Sequence, residues 1–243
     1  MNRSVFSKTS LFSVFGLAFF FLIGGVFAWP HVGVETGGQR SEKLAAFSPA
    51  LDKSDRIATG AMPTARVFLD LAKTVGQGAP AKRLADFKSK TEPSSQPRYW
   101  AIVDFSQRST NKRFYVFDTV EKSVDTYYVS HGRGSEGAKD DGIAEVFSNE
   151  DGSLSSSLGI YRALDEYMGQ HGRSMRLAGL EPTNSNALSR AIVLHTADYV
   201  SEGFIRQTGR LGRSEGCFAV EKAVVDRLID QLKNNAYIIA WKG

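Results

Sequence analysis

Two residues in this chain stand out for chemistry, Cys217 and His195, with the cysteine 22 positions after the histidine. Cys217 is the only cysteine and lies in Arg213-Ser214-Glu215-Gly216-Cys217-Phe218. His195 ends the apolar run Ile192-Val193-Leu194. A lone cysteine has no partner for an internal disulfide. It is a buried filler, a link to another chain, or a reactive thiol. A preceding segment of Gly and Arg, with a histidine available, favours the third. A thiol with an ordinary pKa of ~8.5 is mostly protonated at neutral pH. A neighbouring imidazole takes that proton and holds the thiolate as an ion pair. Gly216 imposes no side chain, so backbone N–H groups of Ser214-Glu215-Gly216 can come close to a substrate carbonyl as an oxyanion hole.

The elements that must position this pair are readable from pattern. Val67, Leu71 and Val75, widened by Phe68 and Ala72, predict a helix between Pro63 and about Lys90, broken at Gly76-Gln77-Gly78. Strands are expected over Tyr99–Phe105, Phe114–Phe117, Val124–Val129, Ile192–Leu194 and Tyr237–Trp241. The first two form a hairpin with alternating faces. Val220 to Leu232 reads as a helix with Val224, Leu228 and Leu232 on one face. The fold class expected is α+β, a β-rich catalytic core with a short helical preface.

The amino-terminal segment resembles an export signal. Arg3 and Lys8 precede an almost wholly apolar Leu11–Phe27, and Val26-Phe27-Ala28 supplies small residues for cleavage. An uncleaved anchor is the alternative, although the apolar run is slightly short of the ~20 residues a spanning helix needs. The expected organisation is therefore a signal over 1–28, an arm over 29–61, the helical preface over 62–97 and the catalytic domain over 98–243. Without Arg3 and Lys8 the remainder carries 28 basic and 26 acidic residues. That balance argues against nucleic acid as partner, which calls for a clustered basic excess. The His131–Ser135 glycine stretch lacks the Lys-Ser/Thr ending of a phosphate-binding loop.

Taken in order, several segments carry a resemblance. Ser130-His131-Gly132-Arg133-Gly134-Ser135, Phe147-Ser148-Asn149 and Ser156-Ser157-Leu158-Gly159 come first. Arg190-Ala191-Ile192-Val193-Leu194-His195-Thr196 and Gly209-Arg210-Leu211-Gly212-Arg213-Ser214-Glu215-Gly216-Cys217 follow. The set, over about residues 62–243, resembles the murein L,D-transpeptidase catalytic domain family. The resemblance implies an exported, metal-free, cofactor-free enzyme of the bacterial periplasm or cell wall. Its cysteine attacks the third residue of a peptidoglycan stem peptide, releases the terminal D-residue and passes the acyl group to an amine. The amine belongs to a second stem or to a protein lysine; water as acceptor makes a carboxypeptidase. Penem-type β-lactams acylate the cysteine of such enzymes.

Carried onto this chain, Cys217 is the nucleophile, His195 the base, and the Thr196 carbonyl orients the imidazole. The Gly216 and Cys217 amides form the oxyanion hole. His131, Ser214, Arg213 and Arg190 are the substrate-binding candidates, because stem peptides carry carboxylates and arginine forks suit them. His131 otherwise only turns the chain. His171, in Gly169-Gln170-His171-Gly172, reads as a surface turn. The sequence departs from the family pattern in three places, one being a His195-to-Cys217 spacer a few residues longer than in the commonest members. Glu215 stands where many members have a second histidine, and Ala219 where many have arginine. A carboxylate facing the thiol would oppose thiolate formation, so Glu215 is expected to point outward. The changes at Glu215 and Ala219 support one rival, a non-catalytic wall-binding module. A cysteine peptidase of unrelated fold is another, but it would want an Asn or Asp to orient the base, and Asp198 is too near His195 in sequence to be identified as one.

Overall fold

The computed structural model describes residues 63–243 except Asn234. The expected signal and arm lie outside the described residues. Helices α1 (Thr64–Thr74) and α2 (Gly78–Thr91) occupy the predicted helical stretch. They are separated by Gly76 at φ +74°, the left-handed region that glycine enters freely. Among the described residues, no helix is long and apolar enough to cross a membrane.

Eight strands follow the two helices. They are β1 (Tyr99–Asp104), β2 (Phe114–Asp118), β3 (Ser123–Tyr127), β4 (Gly159–Gly169), β5 (Gly172–Gly179), β6 (Val193–Thr196), β7 (Phe218–Val220) and β8 (Tyr237–Trp241). One mixed sheet holds them in the order β3-β2-β1-β8-β4-β5-β6-β7. Its β1–β8 and β6–β7 neighbours are parallel. Helices α3 (Glu202–Thr208) and α4 (Val225–Leu232) complete the set.

Side-chain alternation in the central strands feeds two cores. Ala101, Val103, Phe114, Val116, Ile238 and Ala240 face one cluster, which also takes Leu228, Ile229 and Leu232 of α4. Trp100, Ile102, Tyr115, Phe117, Tyr237 and Ile239 face the other, which is covered by Phe68, Ala72, Ala81 and Leu84 of α1 and α2. Phe68 stacks on Trp100 with ring centroids 4.6 Å apart. The amino-terminal helices therefore form one layer of the same domain as β1, β2 and β8. β2 is buried along its whole length because both of its faces are covered.

One expectation is corrected. Val220 ends strand β7, and the helix predicted from it starts only at Val225. The segment Gly159–Gly179, to which no element is assigned from sequence, is a long hairpin of β4 and β5 with a bulge between Ala163 and Glu166. The sheet also curls. Past the end of β3, Val129 pairs with Val220 of β7, and the Ser130 N–H donates to Ala219 O at 2.9 Å. The two ends of the strand order thus meet beside the cysteine.

Candidate active site

Strand pairing sets the Cys217–His195 relationship. β6 and β7 run parallel with His195 opposite Ala219, which places Cys217 just before β7 beside the β6 segment that leads to the histidine. Both residues line one cavity of about 720 Å³. His195 is almost fully buried, at 3 % exposure. Its Nδ1 lies 2.8 Å from the Thr196 carbonyl. A carbonyl only accepts, so Nδ1 carries the hydrogen and Nε2 is left as the basic nitrogen.

Burial pushes the His195 pKa down, partly opposed by the Thr196 carbonyl and reinforced by His171. Burial likewise pushes the Cys217 thiol up; the Val193 backbone and Arg190 work against this, and Glu215 adds to it. Both shifts favour the uncharged forms. Sγ sits 3.5 Å from the Ala191 carbonyl.

The turn carrying the cysteine is folded on itself. Ser214 Oγ donates to the Cys217 carbonyl at 2.7 Å and accepts the Gly216 N–H at 3.2 Å. Gly216 has φ +115°, and a Cβ there would meet Ser155 O at 2.7 Å and Ile192 Cδ1 at 2.9 Å. Only glycine fits. Without substrate, the Gly216 N–H is held by Ser214 Oγ. The Cys217 N–H has no acceptor among the described residues, so it alone of the pair remains open. Ser214 is 3 % exposed yet lines the cavity, and its hydroxyl braces the turn.

The other candidates separate clearly. Arg190 lines the cavity, but its two terminal nitrogens serve the 148–157 loop. Nη1 donates to Ser148 O and Ser157 Oγ, and Nη2 to Ser153 Oγ and Ser155 O, at 2.6–3.2 Å. Arg213 also lines the cavity and is tied through Nη1 to Asp140, with Glu136 3.7 Å away. Its Nε and Nη2 have no acceptor among the described residues.

His131 does not reach the cavity. It is 1 % exposed and lies beneath the cysteine turn. Its Nδ1 is 2.8 Å from Arg113 Nη2, and its Nε2 is 2.8 Å from Glu136 Oε2. A neutral imidazole satisfies both contacts, accepting from arginine and donating to carboxylate. Burial and the nearby Arg113 push its pKa down to about 3. Its carbonyl accepts the Ser214 N–H at 3.0 Å, so it holds the turn through the backbone.

Glu215 stands at the rim with its side chain 70 % exposed and pairs with Arg133 at 3.0 Å. Ala219 is fully buried against Val200 and Leu211. Sequence reasoning passed over two cavity residues, Tyr199 and His171. Burial pushes the Tyr199 phenol up to about 12. The ring of His171 lies on that of His195, centroids 4.3 Å apart and planes 24° from parallel. Its turn was legible, but the hairpin that carries it over the cavity was not.

With this geometry in place, the sequence comparison gives the class. Residues 72–241 match the L,D-transpeptidase catalytic domain, and the chain belongs to that family. No curated protein matches it. Among solved structures it is similar to an L,D-transpeptidase from Mycobacterium smegmatis, with 12 % identity, a TM-score of 0.35, and 59 % of this chain and 58 % of that one covered. It is also similar to a mutant of the helical cell shape determining protein of Campylobacter jejuni, with 12 % identity, a TM-score of 0.37, and coverage of 59 % and 47 %. A third is an L,D-transpeptidase from Mycobacterium tuberculosis, with 14 % identity, a TM-score of 0.32, and coverage of 60 % and 58 %. The chain thus spans about half to three fifths of the length of these structures.

Proposed function

We propose that this protein is an exported peptidoglycan L,D-transpeptidase working through a Cys217 thioester. One observation carries the reading. Cys217 and His195 come from adjacent parallel strands into one cavity, and the Thr196 carbonyl fixes the imidazole tautomer that accepts a proton at Nε2. The charged, apolar, small-residue order of Met1–Ala28 supports export.

In this mechanism a stem peptide enters the cavity with a carboxylate near the open donors of Arg213. Sγ attacks the carbonyl carbon of the third residue while His195 Nε2 takes the thiol proton. Burial disfavours the charged form of both groups, which suits a transfer in step with the attack. The Cys217 N–H stabilises the oxyanion. Collapse breaks the amide bond, and His195 returns its proton to the departing amine of the terminal D-residue. An acceptor amine then attacks the thioester, loses its proton to His195, and the thiol is restored. The acceptor is a second stem or a protein lysine, and water in its place makes an L,D-carboxypeptidase.

The test is mass analysis of isolated tetrapeptide stems incubated with the protein. Loss of the terminal residue with a new amide to an added amine is expected, and neither change with Cys217→Ala. Loss of that residue with water alone incorporated selects the carboxypeptidase reading. Stems left intact by the folded parent protein, together with no adduct on brief carbapenem exposure, would leave the wall-binding module in possession.

A further inference from the structure

The hairpin of β4 and β5 brings a second imidazole onto the base. His171 sits in the tight turn between Gly169 and Gly172 and lines the same cavity as Cys217. Its ring lies almost flat on that of His195. An in-plane hydrogen bond from Nδ1 to the Thr196 carbonyl limits how His195 rotates, but not how far its ring tilts about that bond. A flat neighbour at stacking distance removes the tilt.

The hairpin is built to hold such a neighbour still. Arg173, two residues past the tip, bonds Glu166 across the hairpin and both Asp226 and Asp230 of α4. Lys233 adds a bond to Glu166 at 3.0 Å. Each pair is exposed and weak alone, yet together they tie the hairpin stalk to a helix packed in the core. Behind the tip, the Arg176 guanidinium lies over the Tyr167 ring, 4.2 Å from its centroid. Gln170 Nε2 meets His171 Nε2 at 3.2 Å.

We propose that His171 is a positioning residue for the base: clamped by the hairpin, its ring fixes the plane in which His195 Nε2 receives the thiol proton. This rests on the reading of His195 as base, and its experiment separates the two. The rate of Cys217 alkylation by iodoacetamide at pH 7 is measured for the full-length parent, His171→Ala, His171→Phe and His195→Ala. A mispositioned base costs rate steeply, so His171→Ala should be about tenfold slower. His171→Phe restores a flat ring and should stay within about twofold of the parent. Thermal unfolding should be unchanged in both, because the tip is exposed.

The full pH profile gives a second readout. His171 and His195 share the cavity with Asp151, Arg190, Arg213, Glu215 and Cys217; only the two ring substitutions differ between variants, so rescue by Phe reports on stacking. A slow His195→Ala with a parental His171→Ala overturns this inference alone. So does a His171→Phe as slow as His171→Ala. A parental His195→Ala overturns the base assignment itself.

Discussion

Two buried histidines flank the cysteine turn, and the partners of their ring nitrogens differ. His131, beneath the turn, has both ring nitrogens engaged, one by Arg113 and one by Glu136. His195, beside it, has only Nδ1 engaged by backbone, and its Nε2 side opens on the cavity. Exposure does not distinguish them, at 1 % and 3 %. What distinguishes them is a spare nitrogen. An imidazole with two fixed partners is a strut; one with a single fixed partner keeps a nitrogen free to accept a proton, as the proposed base requires. Arg113 extends the strut. It is wholly buried and donates to Val129 O and Gln107 O, and burial pushes its pKa down to about 9.

The sharpest break of this contrast is kinetic. His195→Ala should slow Cys217 alkylation and acylation by about 10²–10⁴-fold with little loss of stability, since that is the range of general base catalysis. His131→Ala should do the opposite. Leaving the buried Arg113 and Glu136 without their shared partner costs about 1–3 kcal/mol or more, visible in urea unfolding, while protein that remains folded still alkylates. Equal kinetic damage from both changes would erase the distinction.

Gly216→Ala comes next. It forces a side chain into a left-handed backbone position and against Ser155 O, worth about 1–3 kcal/mol of strain. The turn relieves that strain by moving Cys217, so alkylation should fall more than stability does.

Acid titration sharpens the same comparison. The folded state holds His131 at about 3 instead of the ordinary 6.5. Between those values the unfolded chain binds the extra proton. This stability is complete above about pH 6.5 and is lost as pH falls toward 3. His195 shifts in the same direction. Near pH 5, proton uptake on unfolding should therefore drop by about one in His131→Gln.

The smallest effect is expected at Glu215. Its carboxylate is exposed and bonded to Arg133, and its push on the thiol ranks below that of burial. Glu215→Gln should leave the pH profile of alkylation almost unchanged. A downward shift of about one unit in the apparent thiol pKa, or ~1.4 kcal/mol, would show that Glu215 restrains the nucleophile.

Much of this was legible in the residues. Regular apolar spacing located α1 and α2, and β-rich runs located β1, β2, β6 and β8. The Cys217–His195 pairing was legible as chemistry because the two residue types need each other. Three things were not. The β4–β5 hairpin hides because its bulge and the polar Asp165-Glu166 interrupt alternation. β7 merges with the apolar residues that follow it, and only three residues are strand. The split between His131 and His195 depends on Arg113 and Glu136, which flank His131 at 18 and 5 residues' distance with no periodic signal.

The curl of the sheet has a consequence for how the protein behaves among its neighbours. An open strand edge invites another chain to add on, which leads to aggregation. Here β7 is three residues long, and its outer side is already taken by Val129 and Ser130. β3, at the other end, is five residues with Asp125 at its centre, and the Asp125 carboxylate is bonded to Arg227. A strand docking there would set its backbone beside a charged pair. The same bend that seats the cysteine turn thus leaves little for strand addition.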